Sequence, residues 1–256
     1  MVDTIRNIIS DFRPITLAEM DSVKLLDRTD TKFIFPISKL PQVLDFIKEH
    51  YRVLEVENSR ITDYETLYYD TPDWELYTRH HNKKLNRYKI RARKYVNSDL
   101  HFFEVKYKNN KGRTIKTRVK QKSIENDIKD KAKMLLEENT RLFSNQLVPS
   151  IWVNYSRITF VNNNLEERVT IDLNLTFKRE GKEVKYETLV IAELKQDRAR
   201  SRSLFLRAMN EYRIKQNSIS KYCLGVSQLI PEVKKNNFKP KILTLNKILY
   251  ALPHSA

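Results

Sequence analysis

Lysine and arginine side chains alternate with apolar residues along three segments, and these cations are the residues best suited to chemistry. The segments span residues 87–95, 102–108 and 114–120. Their charged positions are Arg87, Lys89, Arg91, Arg93, Glu104, Lys106, Lys108, Lys116, Arg118 and Lys120. A period of two places such residues on one face of a β-strand. Arginine offers paired contacts to phosphate oxygens and lysine offers a point charge, so this face is suited to binding phosphate.

Three later segments, 152–161, 167–173 and 189–195, repeat the alternation. Their polar positions include Tyr155, Arg157, Arg168, Asp172, Glu193 and Lys195. Acids stand singly among the cations, whereas a solvated sheet face would mix signs to limit repulsion between neighbouring strands. A closed antiparallel barrel would collect these side chains in one lumen. We therefore predict an α+β protein whose antiparallel β-barrel forms a tunnel with helices packed outside. An open basic sheet face is the alternative.

Further elements must position these strands. The sequence predicts additional strands at residues 28–37, 51–56, 64–70 and 175–180. Apolar spacing predicts helices at residues 40–47, 74–81, 128–143, 204–213 and 220–229. Asp73 is the expected cap of the helix at residues 74–81. No repeat or linker divides residues 1–231, which we interpret as a single domain, and residues 232–256 form a basic tail without a predicted position.

Composition narrows the function classes. The 256 residues carry 48 Lys and Arg against 32 Asp and Glu, a net charge of +16 that favours a polyanionic partner. The 3 glycines lie far apart, which excludes a P-loop and a dinucleotide fingerprint. A single cysteine excludes an intrachain disulfide and a cysteine-built zinc site, and the 5 histidines are expected at the surface. No segment has the pattern of a signal peptide or a membrane span, so we expect a cytoplasmic protein.

Several motifs occur in order between residues 28 and 229. They are RYKIRARKY (87–95), FFEVKYK (102–108), KTR (116–118), YSR (155–157), RVTID (168–172), VIAELK (190–195) and SKY (220–222). Together they resemble the VTC domain, the polyphosphate polymerase domain of the vacuolar transporter chaperone proteins, within the triphosphate tunnel metalloenzyme or CYTH-like superfamily. The resemblance implies a tunnel with a C-terminal closing helix. It also implies polymerisation of inorganic polyphosphate from the γ-phosphate of ATP, using Mn²⁺ or Mg²⁺.

The resemblance and the alternation together predict the site residues. Catalytic roles are expected for Arg91, Arg93, Lys106 and Lys221. Phosphate binding is expected for Lys32, Lys89, Lys116, Arg118, Tyr155, Arg157, Arg168 and Lys195. Glu193 matches the metal-binding glutamate of the family. The superfamily's first-strand ExExK motif corresponds here to the stretch from Arg28 to Lys32, in which Arg28 replaces one acid, and this change favours a polymerase over a hydrolase.

Three other functions stay open at this stage. The same fold could hydrolyse tripolyphosphate or nucleoside triphosphates, or it could bind polyphosphate as a sensor without turnover. A nucleic-acid-binding module would place exposed aromatics among the cations for base stacking. Because Tyr88, Phe103 and Tyr107 fall on the face opposite the cations, we expect no nucleic acid partner. The expected partners are ATP and inorganic polyphosphate, and the sequence does not indicate an oligomeric state.

Overall fold

The computed structural model describes residues 2–21, 28–197 and 203–250. The helices in these ranges are α1 (Val2–Ser10), α2 (Leu17–Asp21), α3 (Leu40–Ile47), α4 (Glu75–His81), α5 (Asp130–Asn139), α6 (Leu204–Glu211), α7 (Lys221–Leu229) and α8 (Lys239–Tyr250). The strands are β1 (Arg13–Ile15), β2 (Arg28–Pro36), β3 (Tyr51–Leu54), β4 (Thr62–Asp70), β5 (Arg87–Tyr95), β6 (Leu100–Lys108), β7 (Thr114–Gln121), β8 (Val148–Asn162), β9 (Glu167–Arg179), β10 (Lys182–Tyr186), β11 (Leu189–Asp197) and β12 (Gln216–Asn217).

The described strands form one sheet whose main path runs β12-β2-β11-β9-β8-β4-β5-β6-β7. Neighbours along this path pair antiparallel, and the pairing of β1 with β3 is parallel. The path ends at β12 and β7, which no backbone pairing joins within the described residues. Both end strands nevertheless line the same cavity, so the sheet wraps around an interior. The predicted fold class, an antiparallel tunnel fold with helices, is confirmed.

The outer face of the sheet is apolar and covered by helices. On one side α1, α3 and α6 bury a cluster that includes Phe33, Phe160 and Val190. On another side α5 packs Leu136 against Ile90 and Phe103 of β5 and β6. These sheet residues alternate with the charged positions of the same strands, as a period of two requires. The predicted helices α3, α5 and α6 thus lie on the apolar outer face of the sheet, outside the charged interior.

Helix α7 covers apolar residues on the inner side of the sheet. Tyr222, Leu224 and Val226 are buried in a cluster that contains Ile191 and Phe177, and Ile191 alternates with the outward Val190 on β11. The interior is therefore apolar beside α7 and charged beyond it. This position agrees with the closing helix that the resemblance implies.

The N-terminus of α4 is capped by a different residue from the one that the sequence predicts. The carboxylate of Asp70 accepts hydrogen bonds from the backbone N–H groups of Leu76 (2.8 Å) and Tyr77 (2.9 Å). The N-cap residue is Trp74, which has a φ of 62° and makes no side-chain cap bond. The prediction of Asp73 as the cap was wrong, because the chain folds Asp70 back from the end of β4 onto the free N–H groups.

Both ends of the chain contain helices that the sequence analysis does not assign. In α1, Ile5 and Ile9 are buried against the core. In the C-terminal tail, α8 buries Leu245 and packs against the cluster around α7. Residues 251–256 of that tail lie outside the described residues.

A cation-lined cavity as the candidate functional site

Three lysines lie side by side across adjacent strands. Lys89 of β5 pairs in register with Lys106 of β6, which pairs in turn with Lys116 of β7. Directly opposed like charges destabilise a sheet, because such side chains stand only about 5 Å apart. Burial and the charges of Lys89, Arg91 and Lys32 lower the pKa of Lys106 to about 7. Burial also lowers the pKa of Lys116 to about 8. We call these three residues the lysine row.

The lysine row borders a cavity of about 810 Å³. The cationic residues of its lining are Lys32, Arg87, Lys89, Lys106, Lys108, Arg113, Lys116 and Lys241. Among the residues that the structure describes, Asp30 is the one acid in this lining. The β6–β7 hairpin turns at Gly112, where a φ of 75° favours glycine, and carries Arg113 to the cavity. An anion inside would therefore meet a large excess of positive charge.

A buried carboxylate supports the cations of β5 and β7 next to this cavity. The side chain of Glu104 is 1% exposed and lies 2.6 Å from the guanidinium of Arg91. It also forms an ion pair with Lys116. Burial alone would raise the pKa of Glu104, but Arg91, Arg93 and Lys116 outweigh it and hold that pKa well below its usual range. Glu104 thus balances the charges of its neighbouring cations, Arg91 and Lys116.

A second buried carboxylate, Asp172 of β9, holds cations of β8 and α7. Asp172 accepts two hydrogen bonds from Arg157, at 2.6 Å from Nε and 2.9 Å from Nη2. It also bonds the ammonium of Lys221, the first residue of α7. The side chain of Ser220 accepts the N–H of Cys223 and so begins the helix at that point. Burial would raise the pKa of Asp172, but Arg157 and Lys221 keep it well below its usual range.

A third group of ion pairs joins β2 and β11. Glu193 forms ion pairs with Lys32, at 2.8 Å, and with Lys195. Lys195 also lies 3.3 Å from Asp30, so both carboxylates surround one ammonium. The described residues contain no group of three or more His, Cys, Asp or Glu side chains that could hold a metal ion. A divalent cation here would need ligand oxygens from a bound phosphate in addition to these two acids.

Aromatic rings fill the space between the arginines. Tyr64 and Tyr155 stack with centroids 5.1 Å apart and ring planes 7° apart. Arg93 lies 5.1 Å and Arg157 5.2 Å from the Tyr64 centroid, and the Lys221 ammonium lies 4.5 Å from the Tyr155 centroid. Such cation–π contacts stabilise desolvated cations. Tyr155 is 5% exposed, so its ring acts as a platform for the cations.

The predicted residues fall into overlapping groups, because Lys32 and Lys116 both line the cavity and form ion pairs. Four of them line the cavity directly: Lys32, Lys89, Lys106 and Lys116. Arg91, Arg157, Glu193, Lys195 and Lys221 lie in the ion-pair groups.

The remaining arginines take other positions. Arg93 is buried and donates to Thr66 at 3.2 Å. Arg118 lies over the ring of Phe102 at 4.5 Å, and Arg168 pairs in register with Lys195.

Sequence reasoning missed several members of the site. The sequence analysis includes Asp30 only as part of the altered first-strand motif. Its spacing from Lys32 nevertheless places both side chains on one face of β2. Tyr64 gave no signal, because its strand lacks the basic alternation. The histidines were expected at the surface, and this was wrong for His81 and His101, which are buried. His80 lines the cavity, and burial strongly lowers its pKa.

Residues 27–230 match the sequence model of the VTC domain. This match covers most of the chain and contains every predicted site residue. The chain belongs to the VTC domain family. The resemblance drawn from the motifs is thereby confirmed. No curated protein sequence matches the chain.

A solved structure supports the same fold for this VTC domain. HpAC1 from Hippeastrum, a candidate adenylyl cyclase described as having a dominant triphosphatase activity, has a TM-score of 0.54 and 13% identity, with 80% of this chain and 98% of that chain covered. A candidate adenylate cyclase from Vibrio parahaemolyticus has a TM-score of 0.49 and 15% identity over 77% and 98% of the two chains. At this identity the first likeness shows the fold alone.

The VTC family match and the cationic interior together support a function in triphosphate or polyphosphate chemistry. None of the helices within residues 2–21, 28–197 and 203–250 is long and apolar enough to cross a membrane.

Proposed function

We propose that this VTC domain is a polyphosphate polymerase that transfers the γ-phosphate of ATP to a growing inorganic polyphosphate chain. The observation that carries this proposal is the lysine row beside a cavity with eight cationic residues in its lining. That is more positive charge than one triphosphate requires, and a polymer would occupy the surplus. Opposed lysines on three neighbouring strands repel one another, and a bound polyanion would relieve that repulsion.

The transfer step needs little covalent chemistry from the protein. A terminal oxygen of the acceptor chain attacks the γ-phosphorus of ATP, the bond from that phosphorus to the bridging oxygen breaks, and ADP leaves with the electron pair. Catalysis of this kind depends on positioning and on neutralising phosphate oxygens. The lysine row and Arg91 would hold the reacting phosphates, while Glu104 keeps Arg91 in place. Lys221 and Arg157, which pair with Asp172 outside the cavity lining, would hold further phosphates of the chain.

A divalent metal fits beside Glu193 and Asp30. Both carboxylates already surround one cation, the Lys195 ammonium, and oxygen is the ligand that Mg²⁺ and Mn²⁺ prefer. Phosphate oxygens would complete the coordination. A bound ion would supply charge neutralisation at the phosphates being transferred. Lys32 and Lys195, released from Glu193 by such an ion, would then be free to bind phosphate.

The deciding experiment incubates the purified chain with ATP and Mn²⁺ and measures polyphosphate, free phosphate and ADP separately. A polymerase forms acid-labile chains longer than tripolyphosphate, with ADP released in step with incorporated phosphate. Lys89→Met should lower the rate at least tenfold, because it removes a cation of the lysine row. The matched control is Lys120→Met, an exposed position on β7 outside the cavity lining, which should keep the wild-type rate.

Hydrolysis of a triphosphate is the second candidate. It is supported by the fold shared with HpAC1, which is described as having a dominant triphosphatase activity. Release of free phosphate in equal amount to ADP, without polymer, would assign the chain to this reaction. The same experiment therefore separates the two functions.

A further inference from the structure

The helix α8 follows the family match, which ends at residue 230, and it is fixed to the rest of the domain. The Tyr77 hydroxyl donates to the carbonyl of Lys234 at 2.7 Å. The Asn237 side chain donates to the carbonyl of His81 at 3.0 Å. Leu245 is 2% exposed in the cluster beside α7. These contacts give α8 a defined position against the tunnel.

This position makes α8 part of the cavity wall. Lys241 and Ile242 of α8, together with Phe238 just before the helix, line the cavity that the lysine row borders. Lys241 faces residues 216–219, and Asn217 in that stretch pairs in register with Lys32. The helix therefore adds a cation near the edge strand that carries a predicted phosphate ligand.

The ammonium of Lys241 has neutral partners. It donates to the hydroxyl of Ser218 at 2.8 Å and to the carbonyl of the same residue. Within the described ranges, no carboxylate forms an ion pair with it, in contrast to Arg91, Arg157 and Lys195. A phosphate oxygen would add attraction between opposite charges, which the neutral Ser218 acceptors do not offer to the Lys241 ammonium. Lys241 is thus ready to bind an anion without breaking an ion pair.

We propose that α8 forms one wall of the anion-binding site and that Lys241 is an additional phosphate-binding residue, supplied by a segment outside the VTC match. The inference rests on the proposed function, because it assumes that the cavity binds a linear polyphosphate. Its ligand is an inorganic tripolyphosphate or longer chain, which would contact both the lysine row and α8 because both line the same cavity.

Binding of tripolyphosphate without metal tests this assignment separately from turnover. Isothermal titration calorimetry compares the wild-type chain with Lys241→Met, which keeps the apolar stem, and Lys241→Arg, which keeps the charge. Loss of one charged hydrogen bond at a half-buried site should raise the dissociation constant about five- to tenfold. Lys241→Arg should stay within about threefold of wild type, since it retains a cationic donor.

The matched control is Lys239→Met, an exposed residue of the same helix that does not line the cavity and that should bind like wild type. The free Lys241→Met protein should melt within about 3 °C of wild type, as expected for a partly exposed side chain. Wild-type affinity in Lys241→Met would overturn the role of Lys241 and leave the proposed function standing. Absence of tripolyphosphate binding by the wild-type chain would overturn both.

Discussion

Replacing the central residue of the lysine row should stabilise the free protein and damage its function. Lys106 lies between Lys89 and Lys116 on the two neighbouring strands, and all three line the cavity. Lys106→Met removes the middle charge and keeps an unbranched apolar stem of similar length. We expect a higher melting temperature without ligand and weaker binding of tripolyphosphate.

The magnitude follows from the pKa of Lys106, which falls from 10.5 to about 7 in the folded protein. At about 1.4 kcal/mol per pKa unit, the charged form costs at most roughly 5 kcal/mol. Relaxation and water penetration reduce such penalties, so we expect a gain of about 1–2 kcal/mol, or about 3–6 °C. Between pH 7 and 10.5 the unfolded chain binds more protons, so wild-type stability rises with pH in that range. The advantage of Lys106→Met should be full below pH 7 and shrink at higher pH.

Differential scanning calorimetry at pH 6, 7.5 and 9 measures the effect, with Lys120→Met as the exposed control on β7. Tripolyphosphate at about 100 times its dissociation constant should stabilise the wild-type protein by roughly 2.7 kcal/mol, or about 5–10 °C. The same concentration should stabilise Lys106→Met much less. A variant that melts lower than both wild type and the control, and still binds tripolyphosphate with wild-type affinity, would refute the reasoning.

Three further predictions concern protons, metal and packing. Binding of tripolyphosphate should take up protons between about pH 7 and 9, because an anion raises the lowered pKa values of Lys106 and Lys116. Titrations in buffers of different ionisation enthalpy measure this uptake. The absence of proton uptake at pH 8 would contradict the assignment of these lysines to the binding site. Glu193→Gln should abolish metal-dependent turnover and leave metal-free binding equal or stronger, because it removes a negative charge beside the cations; unchanged turnover would remove Glu193 from the site. Gly225→Ala should lower the free energy of unfolding by about 1–3 kcal/mol in urea, because the added methyl group would meet the ring of Phe177 at 2.7 Å. An unchanged free energy of unfolding would show that α7 can shift.

Much of the secondary structure could be predicted from local sequence patterns. The strands with strict alternation, β5, β6 and β7, begin and end within two residues of their predicted bounds. The helix predicted at residues 128–143 ends earlier, at Asn139, because the side chains of Asn139 and Thr140 bond the carbonyls of the last turn. Its apolar spacing continues beyond that point, so the pattern alone did not locate the end.

The sequence predicted which residues line a cationic interior, but it did not predict which of them form ion pairs with one another. Alternation placed Lys116 and Arg118 on one face, yet Lys116 forms the ion pair with Glu104, while Arg118 lies over Phe102. Asp30 and Glu193 lie more than a hundred and sixty residues apart in sequence and surround the same ammonium. No local signal relates such residues, because their proximity depends on the register between β2 and β11.

The sequence by itself determined the sign of the charge, the faces of the strands and the family. These properties follow from composition and from the period-two geometry of the extended chain. Each segment shows them without reference to the rest of the fold. Tertiary structure decided which cations pair with a carboxylate, Lys116 among them, and which residues face the cavity as the lysine row. It also decided that α8 became a wall of that cavity. Such pairings join strands and helices distant in sequence, and only the packing of the whole sheet around its interior fixes the distances between them.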